Sequence, residues 1–215
     1  MVPEDIHAVV RILKREIRRW PLPALAKYVE TPFTVLISCI LSLRTQDKTT
    51  LAASDRLFAI AATPEAMLKV PAKTIEKAIY PVSFYRTKAR TIRTICEQLL
   101  SRFGGSVPSD LEELLSLPGV GRKTANIVVT LGFQKAGIAV DTHVHRISNR
   151  LGYVRTRTPE KTEMSLRRKL PERYWIVFND LLVAYGQNLC KPISPHCSRC
   201  RIAIYCKRVG VKKSR

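Results

Sequence analysis

Lys123 is the residue best placed by its sequence context for covalent chemistry. The segment Leu117-Pro118-Gly119-Val120-Gly121-Arg122-Lys123-Thr124-Ala125 reads as a helix, a tight turn and a second helix. Gly119 and Gly121 permit the turn and the close approach of another backbone. The first N–H groups of the second helix lack intrahelical partners, so they can bind a phosphate whatever base it carries. Lys123 stands at that helix start, where the positive end of the helix dipole disfavours an ammonium ion. The chain's excess of positive charge acts in the same direction. Both effects lower the pKa expected for Lys123 and favour a neutral amine nucleophile. Taken alone, a lysine beside such a turn is more simply a phosphate contact.

A second segment, Val140-Asp141-Thr142-His143-Val144-His145-Arg146, shifts that balance. By itself Asp141 is most simply a helix N-cap. Beside a nucleophilic lysine, its carboxylate can stabilise positive charge on a sugar ring or move protons. His143 and His145 are two residues apart and do not share a helix face. They read as structural or DNA-facing residues, not as a metal pair. Four cysteines, Cys190, Cys197, Cys200 and Cys206, follow the spacing C-x6-C-x2-C-x5-C. Four thiolates in one short loop can surround a zinc ion or an iron–sulfur cluster. Zinc ribbons set two close Cys pairs apart by a longer connection, and only one C-x2-C pair is present here. Cys39 and Cys96 fall on apolar helices and read as buried packing residues.

The elements that must carry these residues are helical nearly throughout, with no sustained strand-like alternation. Residues 1–20 mix Ile6, Val9, Val10, Leu13 and Ile17 with five basic residues, which is one amphipathic face. Thr31-Pro32 and Thr63-Pro64-Glu65 are helix starts. Phe33 to Leu43 is apolar all round but too short to span a bilayer. Tyr85 to Phe103 is a basic helix stopped by Gly104-Gly105. Ser109 and Glu112 fit a capping box. Arg122 to Leu131 is expected to form one helix, and another is expected through Trp175 and Tyr185. Asp47 is expected to cap the helix that follows it. From Arg199 the chain carries seven basic and no acidic residues, so its tip is expected to be loose.

The 215 residues hold 37 Lys and Arg against 17 Asp and Glu, a formal net charge of +20. Such an excess speeds encounter with a polyanion, nucleic acid before an anionic membrane. The sequence carries no secretory signal pattern and no transmembrane-length run, so an intracellular protein without a disulfide framework is expected.

On the hairpin Leu117 to Asn126 and on Val140-Asp141-Thr142-His143, the sequence resembles the endonuclease III family of helix-hairpin-helix glycosylases. The resemblance covers nearly the whole chain. It implies an all-α fold with two helical domains flanking a DNA-binding cleft. One domain comprises residues 25–135, and the other residues 1–24 with 136–215. Lys123 and Asp141 are implied to be catalytic and to meet across the domain boundary. The 6-2-5 cysteine spacing is similar to the family's cluster loop, which implies a [4Fe–4S] cluster on Cys190, Cys197, Cys200 and Cys206. Related adenine and thymine-mismatch glycosylases carry other residues at the lysine position. Lys123 therefore implies the bifunctional branch, which releases a base and then cleaves the strand.

The resemblance also implies that residues near Arg44 and Phe84 fill the gap left by an extruded base. Bacterial members commonly have glutamine where Arg44 stands, and Gln46 lies two residues on. Gly119, Gly121, Arg122 and His143 complete the implied DNA contacts. From spacing alone, Phe84 reads equally well as a core aromatic. The implied substrate is double-stranded DNA with an oxidised pyrimidine, acted on by a monomer in a prokaryotic cytoplasm or nucleoid. Another lesion remains an alternative. So do a DNA-binding module that does not use Lys123, and an electron carrier that needs only the cluster.

Overall fold

The computed structural model describes residues 5–20 and 31–215, and among these every regular element is helical. The chain divides into two compact units, Ala24–Lys135 and Met1–Pro23 with Ala136–Arg215. The domain boundary expected near residue 24 lies outside the described residues.

The Ala24–Lys135 unit is built around helix α2 (Pro32–Ser42). Thr31 opens it with a reciprocal cap: its Oγ1 accepts from Thr34 N at 3.1 Å, and Thr34 Oγ1 accepts from Thr31 N at 3.2 Å. Pro32 at the first turn loses no helical bond. Every residue from Phe33 to Leu41 is buried, as expected for a helix apolar on all sides. Helices α3 (Asp47–Ile60) and α6 (Tyr85–Phe103) pack on it, and α4 (Pro64–Lys69) and α5 (Ala72–Ile79) lie in the same unit. Helices α4 and α5 pack on α6. Thr63 caps α4 through Ala66 N, and Gly104 ends α6 in the left-handed region at φ +59°. Short helices α7 (Leu111–Leu115) and α8 (Arg122–Ile127) flank the glycine turn, with α8 packed on α2.

Three local expectations for this unit are corrected. Asp110, not Ser109, caps α7: its Oδ1 accepts from Glu112 N and Glu113 N at 2.9 and 3.1 Å. A carboxylate one residue nearer the helix outcompetes the hydroxyl, and Ser109 Oγ instead accepts from Lys135 Nζ. Asp47 is the first residue of α3, where its charge suits the dipole, while Gln46 holds the N-cap position. The helix from Arg122 widens into a π-turn over Val128–Gly132. Gly132 allows that turn to lie against Pro32, whose Cα would sit 3.1 Å from a Cβ there.

In the other unit, α1 (Asp5–Glu16) buries Ile6, Val9, Val10 and Leu13, the face read from the sequence. These residues share one core with α9 (Thr142–Leu151), α10 (Pro159–Lys169) and α11 (Trp175–Asn188), including Val144, Ile147, Leu166, Phe178 and Tyr185. After α11 the chain runs through two short 3-10 turns, Cys197–Arg199 and Ala203–Tyr205, which end at Cys200 and Cys206. The tip expected to be loose is tied down. Arg215 N donates to Pro195 O and Ser198 N to Arg215 O, both at 2.9 Å. These backbone bonds do not depend on the composition that suggested looseness.

Candidate functional site

The hairpin turns at Gly119, whose φ of +74° lies in the left-handed region. A Cβ there would also stand 3.2 Å from Thr91 Cγ2, so glycine is required twice over. Gly121 is different. It is the extended N-cap of α8, with open space where a Cβ would be. Its lack of a side chain leaves the start of the helix open to an approaching group. Arg122 and Lys123, the first two residues of α8, are half-buried, and Thr124, Ala125 and Asn126 are buried behind them. Asn126 Nδ2 donates to Arg122 O at 3.0 Å, holding the first turn. Lys123 lies near enough to Cys39 of α2 to oppose the effect of burial on that thiol. Burial nonetheless pushes the Cys39 pKa up to about 12, leaving an inert thiol beside the lysine.

Two loops of the same unit carry Arg44 and Phe84. Both residues adopt left-handed backbone conformations, with φ of 54° and 58°. Such a φ is uncommon for large side chains and is strained. Phe84 is 62% exposed, which removes its reading as a core aromatic. The Arg44 guanidinium carbon lies 5.8 Å from the centre of the Phe84 ring. Gln46 is exposed nearby in sequence, at the start of α3. The sequence reading missed Lys88, one turn into α6. It is 7% exposed, and its Nζ donates to Leu41 O, Leu43 O and Thr45 Oγ1 at 2.8, 2.6 and 3.3 Å.

In the other unit Asp141 caps α9, with Oδ1 accepting from Val144 N at 2.8 Å. The buried run Ile138, Ala139 and Val140 leads into it, and Asn179 Nδ2 of α11 holds Ala139 O at 3.0 Å. His143 is half-buried, 3.0 Å from Arg146 Nη2, and packs against Gly186, where a Cβ would collide with its ring. His145 faces Thr162 Oγ1 at 2.7 Å. The two histidines therefore serve different contacts.

Cys190, Cys197, Cys200 and Cys206 are unpaired thiols that line one cavity with Tyr185, Leu189, Ile202 and Arg150. Tyr185 Oη donates to Cys200 Sγ at 3.2 Å, Arg150 Nη1 to Cys190 Sγ at 3.4 Å, and Arg208 N to Cys206 Sγ at 3.4 Å. Cys206 Sγ also donates to Arg150 O at 3.4 Å. Arg150 was also missed in the sequence. It is buried at the end of α9 and clamps the loop by donating to Lys191 O and Pro192 O at 2.7 and 2.6 Å. Among the described residues, no group of three or more His, Cys, Asp or Glu is arranged to hold a metal ion. Lys191, Arg199, Arg201, Lys207 and Arg208 are exposed around the loop.

Residues 37–172 match the family model of the HhH-GPD superfamily base excision DNA repair protein. Endonuclease III of Thermotoga maritima is 48% identical over 201 residues, covering 93% of this chain and 92% of that protein. A non-covalent endonuclease III–DNA complex superposes with a TM-score of 0.86 at 33% identity, covering 97% of this chain and 96% of the other. A trapped endonuclease III–DNA covalent intermediate gives 0.85 at 32% identity, covering 97% of both chains. No helix among the described residues is long and apolar enough to cross a membrane. The chain belongs to the endonuclease III family of the HhH-GPD superfamily, the DNA glycosylase/lyases of base excision repair.

Proposed function

We propose that Lys123 is the nucleophile of this glycosylase/lyase and that its substrate is an oxidised pyrimidine in duplex DNA. The observation that carries this reading is the position of Lys123 at the open start of α8, directly after the left-handed Gly119 turn. Backbone N–H groups there grip a phosphate, which brings the sugar to the amine. The neutral Nζ attacks C1′, the bond from C1′ to the base breaks, and the base leaves with its electron pair. A proton passes from the nitrogen to O4′, the C1′–O4′ bond breaks as C1′=N forms, and the sugar opens to a protonated imine. A base then removes a proton from C2′, and the bond to the 3′ phosphate oxygen breaks. Asp141 is the carboxylate proposed to move these protons and to stabilise the positive charge that develops on the sugar.

The four cysteines fit a [4Fe–4S] cluster better than zinc. They follow the C-x6-C-x2-C-x5-C spacing and line one cavity, where Cys190 and Cys200 sulfurs accept hydrogen bonds from Arg150 and Tyr185. When bound, the cluster cross-links the loop and holds its exposed basic residues as one surface for the DNA backbone. Arg44 and Phe84 are proposed to fill the gap left by the extruded nucleotide, supported by their exposure and their constrained backbones. The setting proposed is the cytoplasm or nucleoid of a prokaryote, supported by the 48% identical bacterial relative. A panel of duplexes, each with one lesion, tests the substrate reading. Oxidised pyrimidines should be released fastest, and faster release of an alkylated or mismatched base would overturn it.

A further inference from the structure

Arg44 and Phe84 sit on separate loops, and one ammonium group ties both to the same helix. Lys88 lies one turn beyond Phe84 on α6, with Lys88 N bonded to Phe84 O at 2.9 Å. Its side chain runs back under the loop that ends α2. There Nζ reaches Leu41 O, Leu43 O and Thr45 Oγ1, so residues on both sides of Arg44 are held. Thr45 Oγ1 also accepts from Ser83 N at 3.3 Å, which joins the second loop immediately before Phe84. All three ammonium protons are thereby directed at this junction. The acceptors are neutral, and burial pushes the Lys88 pKa down to about 8. Keeping a cation here costs free energy that an apolar side chain of the same length would avoid. Packing alone gives no reason for that choice. Holding two uncommon φ angles in register does.

We infer that Lys88, acting with Thr45, is a positioning residue that pre-sets the Arg44 and Phe84 loops for insertion into DNA. This inference rests on the proposed gap-filling role of Arg44 and Phe84. The pinned loops enter the duplex without first having to order, so the benefit falls on base extrusion. An abasic site has no base to unstack and draws less on the device.

The test uses the full-length protein with Lys88→Met and Thr45→Val, and with Arg44→Ala and Phe84→Ala as reference variants. Four quantities are read: single-turnover base release, cleavage of a preformed abasic duplex, fluorescence of a 2-aminopurine placed beside the lesion, and Tm. For Lys88→Met we expect base release about tenfold slower and loss of the 2-aminopurine signal, with abasic cleavage changed less than about threefold. Thr45→Val should show the same pattern more weakly, and it decides the matter if Lys88→Met does not fold. The Lys88 inference is overturned if Arg44→Ala and Phe84→Ala lose the fluorescence signal while Lys88→Met and Thr45→Val keep it. Equal losses in base release and abasic cleavage that follow Tm also overturn it, since Lys88 then only supports the scaffold. Should Arg44→Ala and Phe84→Ala both extrude bases like the parent, the gap-filling reading fails first and the inference with it.

Discussion

Asp141 holds two roles that substitution can separate. Its Oδ1 accepts from Val144 N at 2.8 Å, so it caps α9 whatever else it does. Losing such a cap costs about 0.5–2 kcal/mol, and losing a negative charge at a helix start adds about 0.3–1 kcal/mol. Asp141→Ala loses both contributions. Asp141→Asn keeps an oxygen in the capping position and loses only the charge. For a protein of this length, 1 kcal/mol moves Tm by about 2–4 °C. The Ala variant should therefore melt roughly 2–12 °C lower, and the Asn variant within about 4 °C of the parent. Both should remain folded at 25 °C, given a typical stability of about 5–15 kcal/mol. Chemistry follows a different pattern. If the carboxylate moves protons, Asn is as poor a substitute as Ala, and both variants should lose about 10²–10⁴ in single-turnover strand cleavage. The assay is cleavage of a lesion-bearing duplex at 25 °C, with Tm followed by circular dichroism on the same samples. The reasoning is refuted if Asp141→Asn cleaves like the parent, or if activity falls in step with Tm. Asp141 would then be a helix cap alone.

The purified protein should be brown and carry about four iron and four sulfide per chain. One zinc per chain and no visible absorption would show that the loop holds another metal. Affinity for undamaged duplex should fall about 10³-fold or more between 50 and 200 mM salt if roughly six phosphates are contacted, and a flat profile would separate the +20 charge from DNA binding. Burial raises the Asp180 pKa from 3.8 to about 6. Between those values the folded state binds the extra proton, so the stability contributed by Asp180 is present below pH 4 and is lost as pH rises through 6. Asp180→Asn should therefore be more stable than the parent at pH 7, by about 1–3 kcal/mol, and the difference should vanish near pH 4. A difference that grows on acidification would contradict the assigned cause.

Local chemistry made much of this protein legible in its sequence. Thr31-Pro32 and Thr63-Pro64 open their helices as read, because an N-cap followed by proline needs only neighbouring residues. The glycine turn was legible at Gly119, where backbone geometry and packing both exclude a side chain. Where two adjacent residues compete for one role, the sequence pointed to the wrong one. Ser109 and Asp110 are adjacent candidates for one cap, and the carboxylate takes it. Residues whose role is tertiary were not legible at all. Lys88 sits among Arg86, Arg90 and Arg93 on a basic helix, and nothing in its spacing marks it as the one buried beneath the α2 loop. Arg150 likewise resembles an ordinary last-turn cation until its bonds to Lys191 and Pro192 are seen. The left-handed φ at Arg44 carries no local signal, since glycine or asparagine is the usual choice there. The residues on either side of it are both bonded to Lys88.

Lys123 is proposed to form a covalent imine with the sugar. Borohydride reduces an imine to a stable amine, so the parent enzyme should become cross-linked to lesion-bearing duplex, and peptide mapping should find the adduct on Lys123. Lys123→Gln should abolish both the cross-link and strand cleavage, while duplex binding stays within a few-fold of the parent, because backbone groups at the start of α8 still grip phosphate. A Lys123→Gln protein that cross-links and cleaves as the parent does would contradict the account and assign the nucleophile to another amine.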